Sequence, residues 1–119
     1  MKKIGIIGSR RRDGGDDYIK VIKQATEIYE DGDRLISGGC PKGGDRFAEI
    51  IAKTIGCPIL IFHPDWDRHG RGAGFVRNTY IADESDILIA CVAEDRKGGT
   101  EDTIKKFLKN KSKENLYLV

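Results

Sequence analysis

The sequence predicts a three-layer α/β sandwich built on a five-stranded parallel sheet of strand order 3-2-1-4-5. Three observations carry this reading. Short apolar runs alternate with amphipathic stretches along the whole chain, the pattern of strands joined by crossover helices. Ile87-Leu88-Ile89-Ala90-Cys91-Val92 is apolar without alternation, so that strand is covered on both faces. The fifteen glycines cluster just after apolar runs, where α/β proteins place their ligand loops. Right-handed crossovers leave few other strand orders.

Lys3–Gly8 reads as a buried opening strand. Residues 16–30 place Ile19, Ile22, Ala25, Thr26 and Tyr29 near helical spacing, with Asp16 and Asp17 to cap them and Asp31-Gly32-Asp33 to stop them. Arg34–Ser37 is a second strand. A helix starts at Asp45, carries Phe47, Ala48, Ile51, Ala52 and Ile55 inward and ends at Gly56; residues 58–62 form the third strand. Residues 63–74 read as the longest loop, and Ala73–Glu84 as the next helix. The fourth strand covers 87–92, a loop 95–99, the last helix 100–109, and a closing strand 116–119.

The 119 residues suit one domain, 1–119, with 39% apolar and 34% charged side chains. Twenty-one Lys/Arg against nineteen Asp/Glu leave a formal charge of +2, too little for a protein that coats nucleic acid. No window approaches the roughly 20 apolar residues of a membrane span. Cys40, Cys57 and Cys91 are odd in number and widely spaced, which argues against a disulfide framework and for a reducing, cytoplasmic setting. His63 and His69 lack a third ligand at useful spacing, so no metal is expected, and no cofactor is implied.

With the first and fourth strands adjacent, the loops after strands one, two and four should converge over the strands' carboxyl ends. Each has phosphate-binding chemistry. Gly8-Ser9-Arg10 combines close backbone approach, a hydroxyl and a guanidinium; Arg11 and Arg12 read as a solvated continuation. Ser37-Gly38-Gly39-Cys40-Pro41-Lys42-Gly43-Gly44-Asp45-Arg46 leads into a helix, with Asp45 either its N-cap or an acceptor for a ligand hydroxyl. Gly98-Gly99-Thr100 can form an anion nest, Thr100 both capping the helix and offering a hydroxyl. Neither GxGxxG nor the P-loop motif GxxxxGK[ST] is present, which excludes a P-loop nucleoside triphosphatase. Arg77 and Asn78 on the first turns of their helix suit a phosphate and a ribose or base edge, with a surface carboxylate the bland partner for Arg77. Trp66 reads as a loop anchor on the sheet edge, or a surface for a base.

At these residues the chain resembles the YspA/YpsA-related branch of the SLOG superfamily, named for the Smf/DprA and Lonely Guy proteins. The resemblance runs over nearly the whole chain, through Gly8-Ser9-Arg10, Ser37 to Ala48, Pro64-Asp65-Trp66, and Arg77-Asn78 to Gly99-Thr100. It implies a Rossmann-like domain that binds nucleotides, including NAD- or ADP-ribose-derived molecules. The Lonely Guy phosphoribohydrolases cleave the N-glycosidic bond of nucleoside 5′-monophosphates with an arginine and the glutamate of PGGxGTxxE. Here Thr103 stands at the glutamate's place, Asp102 lies one position earlier, and the motif's proline is absent. An oxocarbenium-like transition state needs a carboxylate near the sugar, which threonine cannot supply.

The first expectation is therefore a nucleotide-binding protein whose ligand meets Gly8, Ser9, Arg10, Gly38, Gly39, Asp45, Arg77, Asn78, Gly98, Gly99 and Thr100. The second is a nucleotide N-glycosidase using Arg77 and Asp102, or Glu101. A single-stranded DNA-binding module is the third, resting only on Arg10 to Arg12 and on the lysines from Lys105 to Lys113, which read as a solvated face. The resemblance also implies a homodimer, paired through helices beside the site, although no heptad or apolar stripe of the sequence marks one.

Overall fold

The computed structural model describes residues 1–119. The elements follow in the order β1 (Lys3–Gly8), α1 (Gly15–Ile28), β2 (Arg34–Ser37), α2 (Gly44–Ile55), β3 (Ile59–Ile61), α3 (Trp66–His69), α4 (Ala73–Glu84), β4 (Ile87–Cys91), α5 (Gly99–Asn110) and β5 (Leu116–Leu118). All strand pairs are parallel, and the sheet order is β3-β2-β1-β4-β5, as the sequence predicts. Strand order reverses between β1 and β4, whose pairing runs to Gly8 opposite Cys91. Their last residues therefore end side by side.

Side-chain alternation builds two cores. Ile4, Ile6, Leu35, Ile89 and Cys91 face Val21 and Ala25 of α1 and Phe47, Ala48 and Ile51 of α2. Ile7, Ile36, Leu88 and Ala90 point the other way, onto Ile81 and Ala82 of α4 and Ile104 and Phe107 of α5. Phe47 and Phe107 lead the fully buried side chains, and each contributes roughly 1.5–3 kcal/mol by leaving water.

The helix starts differ from the sequence reading. α2 begins at Gly44 and α5 at Gly99, and their caps are Gly43 (φ +73°) and Gly98 (φ +117°), so neither Asp45 nor Thr100 is an N-cap. Those torsions belong to the left-handed region that side chains avoid. α1 starts at Gly15 after a Gly14 cap and ends at Ile28; Asp17, not Asp16, accepts the Gly14 amide at 3.4 Å. The segment expected as pure loop at 63–74 contains α3 and a 3-10 turn, Gly70–Gly72. Asp65 starts α3 by accepting the Arg68 amide at 3.1 Å.

Gly44 sets how close α2 can come to the sheet. A Cβ there would lie well inside 3 Å of the Ile7 carbonyl carbon and the Gly8 nitrogen. Gly15 has open space around its Cα. We expect Gly44→Ala to cost about 3 kcal/mol or more in urea unfolding, and Gly15→Ala to stay within about 0.5 kcal/mol of the parent.

The base of the sheet is tied by Asp33, which is buried. It accepts the Lys2 amide at 2.7 Å and the Glu30 amide at 2.9 Å, and pairs with Lys2 Nζ at 2.7 Å. Burial alone would raise its pKa, but these donors outweigh it and hold the carboxyl at about 2. A folded-state pKa below the ordinary 3.8 gives stability that is present above that value and lost as pH falls towards 2. The stability gap between the parent and Asp33→Asn should therefore narrow as denaturation is repeated at falling pH through that window.

Candidate functional site

A cleft of about 750 Å³ opens above the carboxyl ends of β2, β1 and β4, at the switch point of the sheet. Gly8, Ser9, Arg10, Gly38, Gly39, Asp45, Arg77, Asn78, Gly98, Gly99 and Thr100 all line it. The three loops meet there because side chains clip them together.

The loop after β1 is held on two sides. Arg11 grips Asp95 with two bonds of 2.9 and 2.7 Å and donates to the Lys97 carbonyl at 3.1 Å, joining this loop to the one after β4. Arg12 donates to Asp17 at 2.9 Å, to the Val92 carbonyl at 3.0 Å and to the Val119 carbonyl. Both arginines are structural ties: Arg11 stays exposed, as expected of a solvated run, while Arg12 is half-buried and departs from it. Asp13 accepts the Gly43 amide at 2.6 Å and Arg46 Nε at 2.8 Å, fastening the same loop to the start of α2. The Gly43 amide first, then Arg46, hold its carboxyl below the usual range. Arg10 and Arg11 are both exposed, and Arg10 alone of the triplet makes no such tie.

The loop after β2 passes between Arg77 and Asp45. A Cβ on Gly38 would come within 3 Å of Arg77 Nη1 and Asp45 Oδ2, so a side chain there would push these two groups out of place. Arg77 donates to the Gly38 carbonyl and, at 2.9 Å, to Asn78 Oδ1, instead of pairing with a surface carboxylate. Asp45 is 7% exposed and accepts the Cys40 amide at 3.1 Å. Burial pushes its pKa up, against the pull of that amide and the Arg77 charge.

The loop after β4 leads into α5 with no side chain capping the helix, so the first amides at Gly99 and Thr100 have no side-chain partner. Asn78 Nδ2 fixes the turn through the Gly99 carbonyl at 3.3 Å. The acidic residues behind it turn away from the cleft. Arg96 binds both Glu101 oxygens at 2.8 Å. Asp102 does not line the cleft: its Oδ2 accepts Asn78 Nδ2 at 3.1 Å and Lys106 Nζ at 2.8 Å, bracing α4 against α5. Thr103, one position on, is the residue that lines it. Lys106 and Lys111 are likewise engaged rather than solvated, Lys111 Nζ capping α4 at the carbonyls of Ala82, Asp83 and Ser85 at 2.7, 2.6 and 2.6 Å.

The lining is unequal in charge. Arg10, Arg11, Arg71, Arg77 and Lys97 face the cleft, against Asp45 as its one carboxylate. Arg11 is neutralised by Asp95, Arg77 donates only to neutral acceptors, and Arg10, Arg71 and Lys97 form no ion pair. A chain of formal charge +2 thus concentrates its excess where low-dielectric walls strengthen the field. Arg71, Lys97 and Phe75 were not among the site residues expected from the sequence; Lys97 beside Gly98-Gly99 was the readable signal. Trp66 is not an anchor packed on the sheet edge: it is 59% exposed and lines the cleft.

Fold and cleft define a doubly wound parallel α/β protein with a cationic cleft at its switch point. No protein-family model, curated protein or solved structure matches the chain. No helix is long and apolar enough to cross a membrane.

If Asp102 is a brace, Asp102→Ala should lower stability by about 1 kcal/mol, read as a lower urea midpoint. An unchanged midpoint would mean that the Asn78 and Lys106 bonds contribute nothing.

Proposed function

We propose that the cleft binds a nucleoside phosphate or an NAD- or ADP-ribose-derived ligand. The observation that carries this reading is the coincidence of an uncapped helix start at Gly99-Thr100 with three unpaired cations, Arg10, Arg71 and Lys97, around one cleft. Backbone donors, a helix dipole and guanidinium groups are the chemistry that holds phosphate. Gly8-Ser9-Arg10 and Gly98-Gly99-Thr100 take the phosphates, and Asp45 and Asn78, which line the same cleft, are the groups assigned to the ribose hydroxyls. The resemblance of the chain to SLOG proteins supports the same ligand class.

Binding is favoured over glycosidic cleavage by the placement of the acids. Asp102 and Glu101 are held by Lys106 and Arg96, and the motif position expected to supply a carboxylate is Thr103. That leaves Asp45, pinned by the Cys40 amide, as the only acid in the cleft. Calorimetric titration with AMP, ADP-ribose and NAD should give saturable binding by at least one of them, without release of free base. Arg10→Ala combined with Lys97→Ala should weaken it about tenfold or more. Flat traces for all three ligands would remove the reading.

A further inference from the structure

The cleft has an apolar side that phosphate chemistry does not use. Trp66 and Phe75 both line it and are 59% and 58% exposed, although rings of this size normally lose most of their surface to water on folding. Neither stacks on another aromatic side chain; the ring pairs of the chain are Tyr18 with Phe47 and Phe62 with Tyr80.

The backbone that carries each ring is nevertheless held in place. Trp66 opens α3, whose start is fixed by Asp65 accepting the Arg68 amide at 3.1 Å. Phe75 lies in the first turn of α4, and Lys106 Nζ donates to its carbonyl at 2.6 Å while standing 5.7 Å from its ring centroid. Lys106 is in turn anchored by Asp102 at 2.8 Å. The Asp102 brace thus steadies one wall of the cleft. Water-exposed rings on braced backbone, beside the cations of the same cleft, suit a ligand that is flat and apolar at one end and anionic at the other.

We propose that Trp66 and Phe75 form a stacking subsite for a purine base, so that the cleft takes purine nucleotides in preference to pyrimidine nucleotides and base-free sugar phosphates. This rests on the phosphate reading above and adds the other half of the ligand. Stacking is tolerant of base identity because every base has a π-face. Discrimination therefore follows ring area, with adenine and guanine alike and cytosine weaker. A sugar phosphate would leave both rings wet and reach only the cationic floor.

Trp66 is the only tryptophan in the chain, so its fluorescence reports on the subsite directly. ADP, GDP, CDP and ribose 5-phosphate are titrated into the full chain and into Trp66→Ala and Phe75→Ala, by calorimetry throughout and by fluorescence where Trp66 remains. Both side chains are exposed, and far-UV circular dichroism checks that the variants keep the fold. ADP and GDP should bind with similar affinity and quench Trp66. CDP should bind several-fold more weakly, and ribose 5-phosphate about tenfold or more weakly, without quenching. Trp66→Ala should weaken ADP several-fold, narrow its advantage over CDP, and leave ribose 5-phosphate unchanged. Equal binding of ADP and ribose 5-phosphate, or variants that bind ADP like the parent, would overturn the subsite while leaving the anion cleft standing. Absence of binding by all four probes would overturn both.

Discussion

The start of α2 rests directly on the end of β1. Between the Gly44 Cα and the backbone of Ile7 and Gly8 there is no room for one methyl group. At the same strand end, a Cβ on Gly8 would meet Cys91 Cβ and the Gly44 amide at 2.8 and 3.0 Å. Three backbone segments from distant parts of the chain are thus packed at contact distance, and the loops leaving them have to share one small region above the sheet. The positions of the other site groups follow from that crowding.

Ion pairs and charge-assisted hydrogen bonds then turn proximity into a fixed arrangement. Arg11 to Asp95, Asp13 to Gly43 and Arg46, and Arg77 to Gly38 each join two different loops or a loop to a helix. The exposed pairs among them are individually weak, but each contact spans thirty or more residues of chain and selects one loop geometry. The outcome is electrostatically lopsided. Arg11 is used up by a carboxylate, while Arg10, Arg71 and Lys97 remain available beside an uncapped helix start. Asp45, raised by burial and restrained by Arg77, is the counterweight in the lining.

The sheet order and the converging loops were legible because they rest on long-range regularities. Apolar runs of strand length, crossover handedness and glycine clusters after strands survive without knowledge of any single contact. What escaped the sequence was local. Gly43 and Gly98 displaced Asp45 and Thr100 as caps because positive torsions, invisible in residue type alone, close those turns. Arg12 looked solvated, yet β5 brings the Val119 carbonyl within its reach from the far end of the chain. Asp102 looked like a substitute for a missing glutamate, yet one helical position rotates it onto Asn78 and Lys106 and leaves Thr103 lining the cleft. Phe75 fitted the apolar pattern of a core helix, and only its exposure separates it from one.

The account stands on the loops after β1, β2 and β4 acting as one anion-holding surface. Amide chemical shifts of the isotope-labelled protein, followed while ADP is added, test that residue by residue. Resonances of Ser9 and Arg10, of Gly38 and Gly39, and of Gly99 and Thr100 should move together along one saturation curve. Shifts confined to one of these loops, or lying on a different face of the molecule, would contradict it.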